Sequence, residues 1–203
     1  MKVDNKVILQ KIKDAALEYK TNYVSKSFLY IFESGYIEVL FKKESFSHLT
    51  GVCRTMGMTA KDFFQKASDK KLSIKHFCFD TTHPADLCFQ KLFFLNDLQS
   101  LVKTEVSILQ NIKTDSVEYS LGIGETHYTL CLIEKNGYYI PRSLYCADCT
   151  SKSDNVFKVY AILSKDINSK LYGTVNFHNG TKLILSDEIK NKIVPEIVES
   201  LTN

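Results

Sequence analysis

Two short segments of this chain combine residues able to move protons with residues able to hold an anion. The first, FKKESFSHLTGV at residues 41–52, sets His48 between Ser47 and Thr50 and just ahead of Gly51. An imidazole titrates near neutral pH, hydroxyls donate hydrogen bonds, and a glycine lets backbone approach a ligand closely. A lone histidine beside an apolar run is also the ordinary mark of a packing residue, so His48 carries both readings. The second segment, YYIPRSLYC at 138–146, places Arg142 and Ser143 directly after Pro141. A proline inside a β-rich run removes one ladder donor, as happens at sheet edges and functional bends. Arg142, with Tyr139, Ser143 and Tyr145 nearby, has the planar fork that grips a phosphate through two N–H groups. Only Arg54 and Arg142 are arginines in a chain whose other basic residues are lysines. Each therefore marks a place where a bidentate donor is wanted.

Several familiar chemistries are absent. There is no GxxxxGK[ST], HExxH, EF-hand loop or GxSxG, and Gly122-Ile123-Gly124 lacks the third glycine of a dinucleotide site. Cys146-Ala147-Asp148-Cys149 has the spacing of a zinc half-site or a redox pair, but no second CxxC or HxxxH accompanies it. The competing reading is a polar loop after a strand, and no metal or cofactor is expected.

The elements that position these segments follow from periodicity. Val7, Ile8, Ile12, Ala15, Ala16 and Tyr19 keep a helical rhythm over residues 5–20, and the texture then switches to a hairpin of 27–33 and 36–42 around Ser34-Gly35. Thr59 is placed to cap a helix over 59–71, and His83-Pro84 to open a long core helix through Val102. From residue 106 to 185 the chain reads as short β-rich runs, with Asn136-Gly137 and Asn179-Gly180 as two-residue hairpin turns. Ser186 caps a closing helix over 186–201, bent near Pro195. The order predicts an α+β fold: N-terminal and central helices on a mainly antiparallel sheet, with a C-terminal helix. One domain over 1–203 is expected, helical in 1–105 and β-rich in 106–185. Leu17, Phe41, Leu92, Leu95, Leu130, Leu132, Val159 and Ile162 are the expected core.

Composition narrows the class of function. Among 203 residues, 26 Lys+Arg against 23 Asp+Glu leave a net charge of +3, too small for a dedicated duplex binder, so any nucleic-acid contact must be local. Eight glycines and three prolines argue against a linker-dominated or disordered chain. No secretory signal or membrane-spanning run is visible, and the six cysteines read as reduced thiols, which places the expected location in the cytoplasm.

The GYIEVLFKKESFSHLTGV block after a helix and a hairpin, the YYIPRSLY segment beyond a helical middle, and the VYAILSKD run together resemble the fourth phage-associated family of barnase-EndoU-colicin-RelE-like nucleases, over roughly residues 5–180. The resemblance implies N-terminal helices on a curved antiparallel sheet of about four strands with an RNA-cleaving face. Carried onto this chain, it implicates His48 and Thr50 in the first block, Arg142 and Ser143 in the second and Lys165 in the third. Metal-free RNA cleavage uses the substrate's 2′-hydroxyl as nucleophile and needs a general base, a general acid and cations on the phosphorane. His48 suits the proton exchange, Arg142, Ser143, Thr50 and Lys165 the phosphate, and the second proton donor falls to Lys165, Tyr145 or His127. His48 and Arg142 should then approach within about 10 Å, since one phosphate must touch both. A phage or mobile-element toxin restrained by a protein inhibitor or antitoxin is the implied setting. A non-enzymatic immunity or anti-defence module and an NAD-using transferase are the rival readings.

Overall fold

The computed structural model describes residues 4–114 and 117–203. Helix α1 (Asn5–Asn22) is started by Asp4, whose carboxylate accepts from the Lys6 amide at 2.8 Å. It buries Ile8, Ile12, Ala15, Ala16 and Tyr19. Leu17, expected in the core, is 46% exposed, because it falls on the solvent side of that stripe. The other seven expected core residues are buried.

The hairpin forms as expected, from β1 (Lys26–Phe32) and β2 (Gly35–Leu40) paired antiparallel. It does not stay with the helices. It joins β5 (Ser107–Lys113), β6 (Glu118–Gly124), β7 (Thr129–Lys135), β8 (Tyr138–Tyr145), β9 (Asn155–Asp166) and β10 (Thr174–His178) in one eight-stranded sheet, twice the number of strands anticipated. Pairing is antiparallel except for a single parallel contact of Val39 with Tyr139. Strand β9 pairs with β5 through residues 155–158 and with β1 through 159–166, which links the two ends of the strand row and curls the sheet.

Strand β1 is an unbroken buried run because the sheet is covered on both faces there. Phe28, Tyr30 and Phe32 enter the main apolar core with α1, while Leu29 and Ile31 enter a second cluster with Leu183, Leu185, Ile189, Ile193 and Leu201. The main core also takes α3 (Ala60–Ser68), capped by Thr59 as expected, and α4 (Ala85–Leu95). The long helix through Val102 is interrupted after Leu95, and α5 (Ser100–Lys103) resumes it. The closing helix is likewise two pieces, α6 (Asp187–Lys190) and α7 (Pro195–Thr202). Pro195 opens the second rather than bending one continuous helix, since its missing N–H suits a first turn. Asn136 and Gly137 both take positive φ, 55° and 78°, in a tight β7–β8 turn. Asn179-Gly180 makes no such hairpin: residues 181–185 form no ladder and bury Leu183 and Leu185 instead. Among the described residues no helix is long and apolar enough to cross a membrane.

Candidate nucleic-acid site

Helix α2 (Phe46–Thr50) is one turn and a half, with Phe46 and Leu49 fully buried. This spacing turns His48 outward from the same helix. Gly51 ends it at φ +72°, a left-handed conformation that favours glycine. The Lys91 side chain from α4 crosses directly over this glycine: a Cβ there would stand 2.8 Å from Lys91 Cδ. Gly51 is thus required twice, by its own backbone and by the passage of a lysine stem.

Opposite α2 runs β8. In its ladder with β7, Cys131 pairs with Ser143 and Leu132 with Pro141, so Arg142 is the extra residue of a β-bulge. A bulge bends the strand and re-aims one side chain. Among the described residues the other edge of β8 has no strand partner beyond Tyr139, so the N–H missing at Pro141 costs no ladder bond. Arg142 consequently points at α2, and its Nη1 lies 3.2 Å from His48 Nε2. The two groups expected to meet at one phosphate are 94 residues apart in the chain and in hydrogen-bond contact.

Around them lies a cavity of about 190 Å³. Arg54 and Lys91 supply further cations, His83 a second imidazole, and Ser47, Ser143 and Tyr119 hydroxyls; among the described residues no carboxylate lines it. Arg54 donates to Ser47 Oγ and to the Met58 carbonyl. The Lys91 ammonium reaches Ser143 Oγ at 3.5 Å and has no carboxylate partner among the described residues. Such a concentration of positive charge, in a chain whose net charge is only +3, is built for an anion. Two neighbouring cavities extend it, one of about 410 Å³ sharing His48 and Arg142 and reaching Lys42 and Lys135, the other of about 400 Å³ sharing Lys91, Tyr119 and Ser143 and reaching Tyr145. The first of these also carries Glu44, and the second adds the Tyr145 ring to that of Tyr119, so the three line up as a groove with its cations at the centre and at one end and its aromatic rings toward the other.

The same crowding sets the proton affinities. Burial lowers the pKa of His48, and Arg142, then Arg54, His83 and Lys91, lower it further. Arg142 can only donate, so His48 Nε2 accepts and the imidazole is held neutral. Burial also lowers Lys91, opposed by the thiols of Cys146, Cys88 and Cys131. It raises Tyr119, opposed by Ser143 and Arg142.

Two of the five expected site residues stand elsewhere. Thr50 is fully buried, and its hydroxyl donates to the Ser47 carbonyl at 2.8 Å and accepts from the Val52 amide, closing α2 rather than facing a ligand. Lys165, at the end of β9, donates to the Lys170 carbonyl at 3.0 Å and lies over the Tyr172 ring. It lines none of the three cavities. Among the other proton donors considered, His127 sits in the β6–β7 turn with its amide on Glu125, and Tyr145 lines the outer cavity beside Lys152. Cys149 packs with Cys131, Leu109 and Ile112, so the CxxC is a turn with one thiol in the core. Lys91, His83 and Tyr119 were not singled out by sequence. The signal for Lys91 was a lysine inside the apolar helix opened by Pro84; for Arg54 it was the scarcity of arginine.

No curated protein and no solved structure is matched by this chain. The family model described as phage-Barnase-EndoU-ColicinE5/D-RelE like nuclease 4 matches residues 11–179, a span that includes the helix α2, the Arg142 bulge and every residue of the cationic cavity. On that match the chain belongs to this family of phage-associated nucleases, and a nucleic acid is its substrate.

Proposed function

We propose that the protein is an endoribonuclease that cleaves RNA by attack of the substrate's own 2′-hydroxyl, without a metal ion at the reacting phosphate. The observation that carries this reading is the 3.2 Å contact of Arg142 with His48 on the wall of a cavity lined by cations and, among the described residues, by no carboxylate. A phosphodiester entering the cavity takes the Arg142 guanidinium onto its non-bridging oxygens, which frees His48 Nε2. The neutral imidazole accepts the 2′-hydroxyl proton, the 2′-oxygen bonds to phosphorus, and the P–O5′ bond breaks. Lys91, with its proton affinity lowered by burial, gives a proton to the leaving 5′-oxygen. Arg54, Ser47 and Ser143 hold charge on the phosphorane. The products are a 2′,3′-cyclic phosphate and a 5′-hydroxyl.

The substrate itself provides the test. RNA is expected to be cut in magnesium-free buffer to the cyclic phosphate, whereas DNA and a strand with one 2′-deoxy residue at the cut site are expected to resist. Cleavage of the 2′-deoxy position would overturn the reading, because no other nucleophile is assigned. The proposal extends to a toxin or effector of a phage or mobile element that acts on cytoplasmic RNA and is restrained by a protein inhibitor. Growth arrest on expression of the intact chain, absent with His48→Ala, is the expected sign.

A further inference from the structure

At the edge of the cationic cavity the short strands β3 (Cys53–Arg54) and β4 (Phe77–Cys78) pair, and the chain returns toward α4 through residues 79–84. This return brings Asp80 and His83 against Cys53. Cys53 Sγ lies 2.9 Å from Asp80 Oδ2 and 3.2 Å from His83 Nδ1, and that Nδ1 lies 3.2 Å from Asp80 Oδ1. Among the described residues these three form the group of Cys, His and acidic side chains whose ligand atoms all fall within 4.8 Å of one another.

Those spacings have a chemical meaning. Tetrahedral zinc with ligands at about 2.0–2.3 Å has donor atoms about 3.3–3.7 Å apart. To hold the ion, the Cys53–His83 edge needs to open by about 0.3 Å and the Cys53–Asp80 edge by about 0.6 Å. Its donors are a thiolate sulfur, an imidazole nitrogen and a carboxylate oxygen, a set that suits zinc over magnesium or calcium. The carboxylate is also fixed in advance: Asp80 Oδ1 accepts from the Thr82 amide at 2.9 Å, the Thr82 hydroxyl at 2.8 Å and the His83 amide at 2.7 Å, leaving Oδ2 toward Cys53. Ligands held by such outer contacts are the usual form of a built metal site. Cys78 is the Cα partner of Cys53 in the β3–β4 ladder, so its exposed thiol leaves the same face of the ribbon.

We propose that Cys53, Asp80 and His83 bind a zinc ion, with Cys78 turning inward as the fourth ligand. On binding, the Cys53 and Cys78 thiols release their protons to solvent and His83 coordinates through Nδ1, which leaves its proton on Nε2. Four protein ligands make the site closed and structural rather than catalytic. The ion clamps residues 53–54 to 78–83, and so fixes Arg54 and His83, which line the cavity.

The test is metal content and spectrum of the full chain, read without RNA and therefore independent of the nuclease reading. One zinc per chain is expected after purification under reducing conditions, with a Kd tighter than about 0.1 µM. Cobalt(II) in its place should give visible bands of a tetrahedral site and a near-ultraviolet thiolate-to-cobalt band. Cys53→Ser should lose the binding, and Thr82→Val, which strips an outer contact, should weaken it about 10–100-fold. If Cys53→Ser does not fold, the spectrum of the unaltered chain decides. Absence of the thiolate band, a spectrum unchanged in Cys53→Ser, or a Cys53–Cys78 disulfide in place of metal uptake would overturn the site.

Discussion

The Arg142 guanidinium donates to His48 Nε2 at 3.2 Å across the gap between a bulged strand and a one-turn helix. Both side chains reach solvent, His48 with one side of its ring covered by the cavity wall, so neither supports the core. His48→Ala and Arg142→Ala are therefore expected to keep the melting transition of the parent while cleavage falls about 10²–10⁴-fold for the proton-transfer residue. Arg142→Lys should recover little, because an ammonium cannot span two phosphate oxygens. Activity that survives both alanine substitutions, measured on one RNA at saturating protein, would remove these residues from the reaction.

The pH profile follows from the same contact. Partial burial, then Arg142, Arg54, His83 and Lys91, lower the His48 pKa from its ordinary 6.5, so the neutral base is present at pH values above that lowered pKa. kcat/KM should rise with pH along a limb whose midpoint lies below 6.5. Replacing Arg142 with glutamine removes the largest charge effect on the ring, so the imidazolium becomes easier to form and the midpoint moves to higher pH. Histidine resonances followed by NMR through the titration report this directly, even if the variant is inactive. A midpoint that stays or moves to lower pH would contradict the electrostatic origin of the shift.

Much of the scaffold was legible because its signals are local. The α1 stripe, the Ser34-Gly35 hairpin, the Thr59 cap and the Asn136-Gly137 turn each depend on a few adjacent residues. Half of the candidate site was legible for a similar reason, since His48 and Arg142-Ser143, which line the cavity, sit in short segments of unusual composition. What escaped depends on contacts distant in sequence. Nothing near Thr50 says that its hydroxyl closes α2. The bulge at Arg142 exists only relative to Cys131 and Leu132, and Lys91 becomes a cavity cation only where it crosses Gly51. Cys53 looked unremarkable until β3 and β4 set it against Asp80 and His83.

Stability away from the cavity should depend on an ion pair whose carboxylate is buried. Glu38 of β2 keeps 9% side-chain exposure and accepts from Lys192 Nζ and from Tyr172 OH, each at 2.7 Å; Ser27 Oγ lies 2.6 Å from the same phenol. Lys192→Met leaves the carboxylate buried with a single neutral donor, and because water reaches the Lys192 side of the pair the loss should be about 1–3 kcal/mol, below that of a fully buried pair. Adding Glu38→Gln in the same chain should recover most of it, since no unpaired charge then remains. Chemical denaturation of the two variants reads both numbers. Equal losses would mean that packing of the Lys192 stem, and not the charge, supports this region.

Gly51 joins the fold to the site, and its replacement should affect both. Alanine there must hold φ near +72°, a strain of about 1–2 kcal/mol, and its Cβ would stand 2.8 Å from Lys91 Cδ. The lysine stem has to move, which withdraws the ammonium from Ser143. Gly51→Ala should therefore lower the melting temperature and also reduce RNA affinity and cleavage toward the level of Lys91→Ala. That second variant tests the lysine alone: losing one phosphate contact should weaken binding to all RNA sequences alike and reduce the salt slope of log K by about 1. Comparison of the two slopes is decisive. If Gly51→Ala is less stable yet keeps the parental salt slope, the glycine serves the backbone only, and Lys91 reaches the substrate by another path.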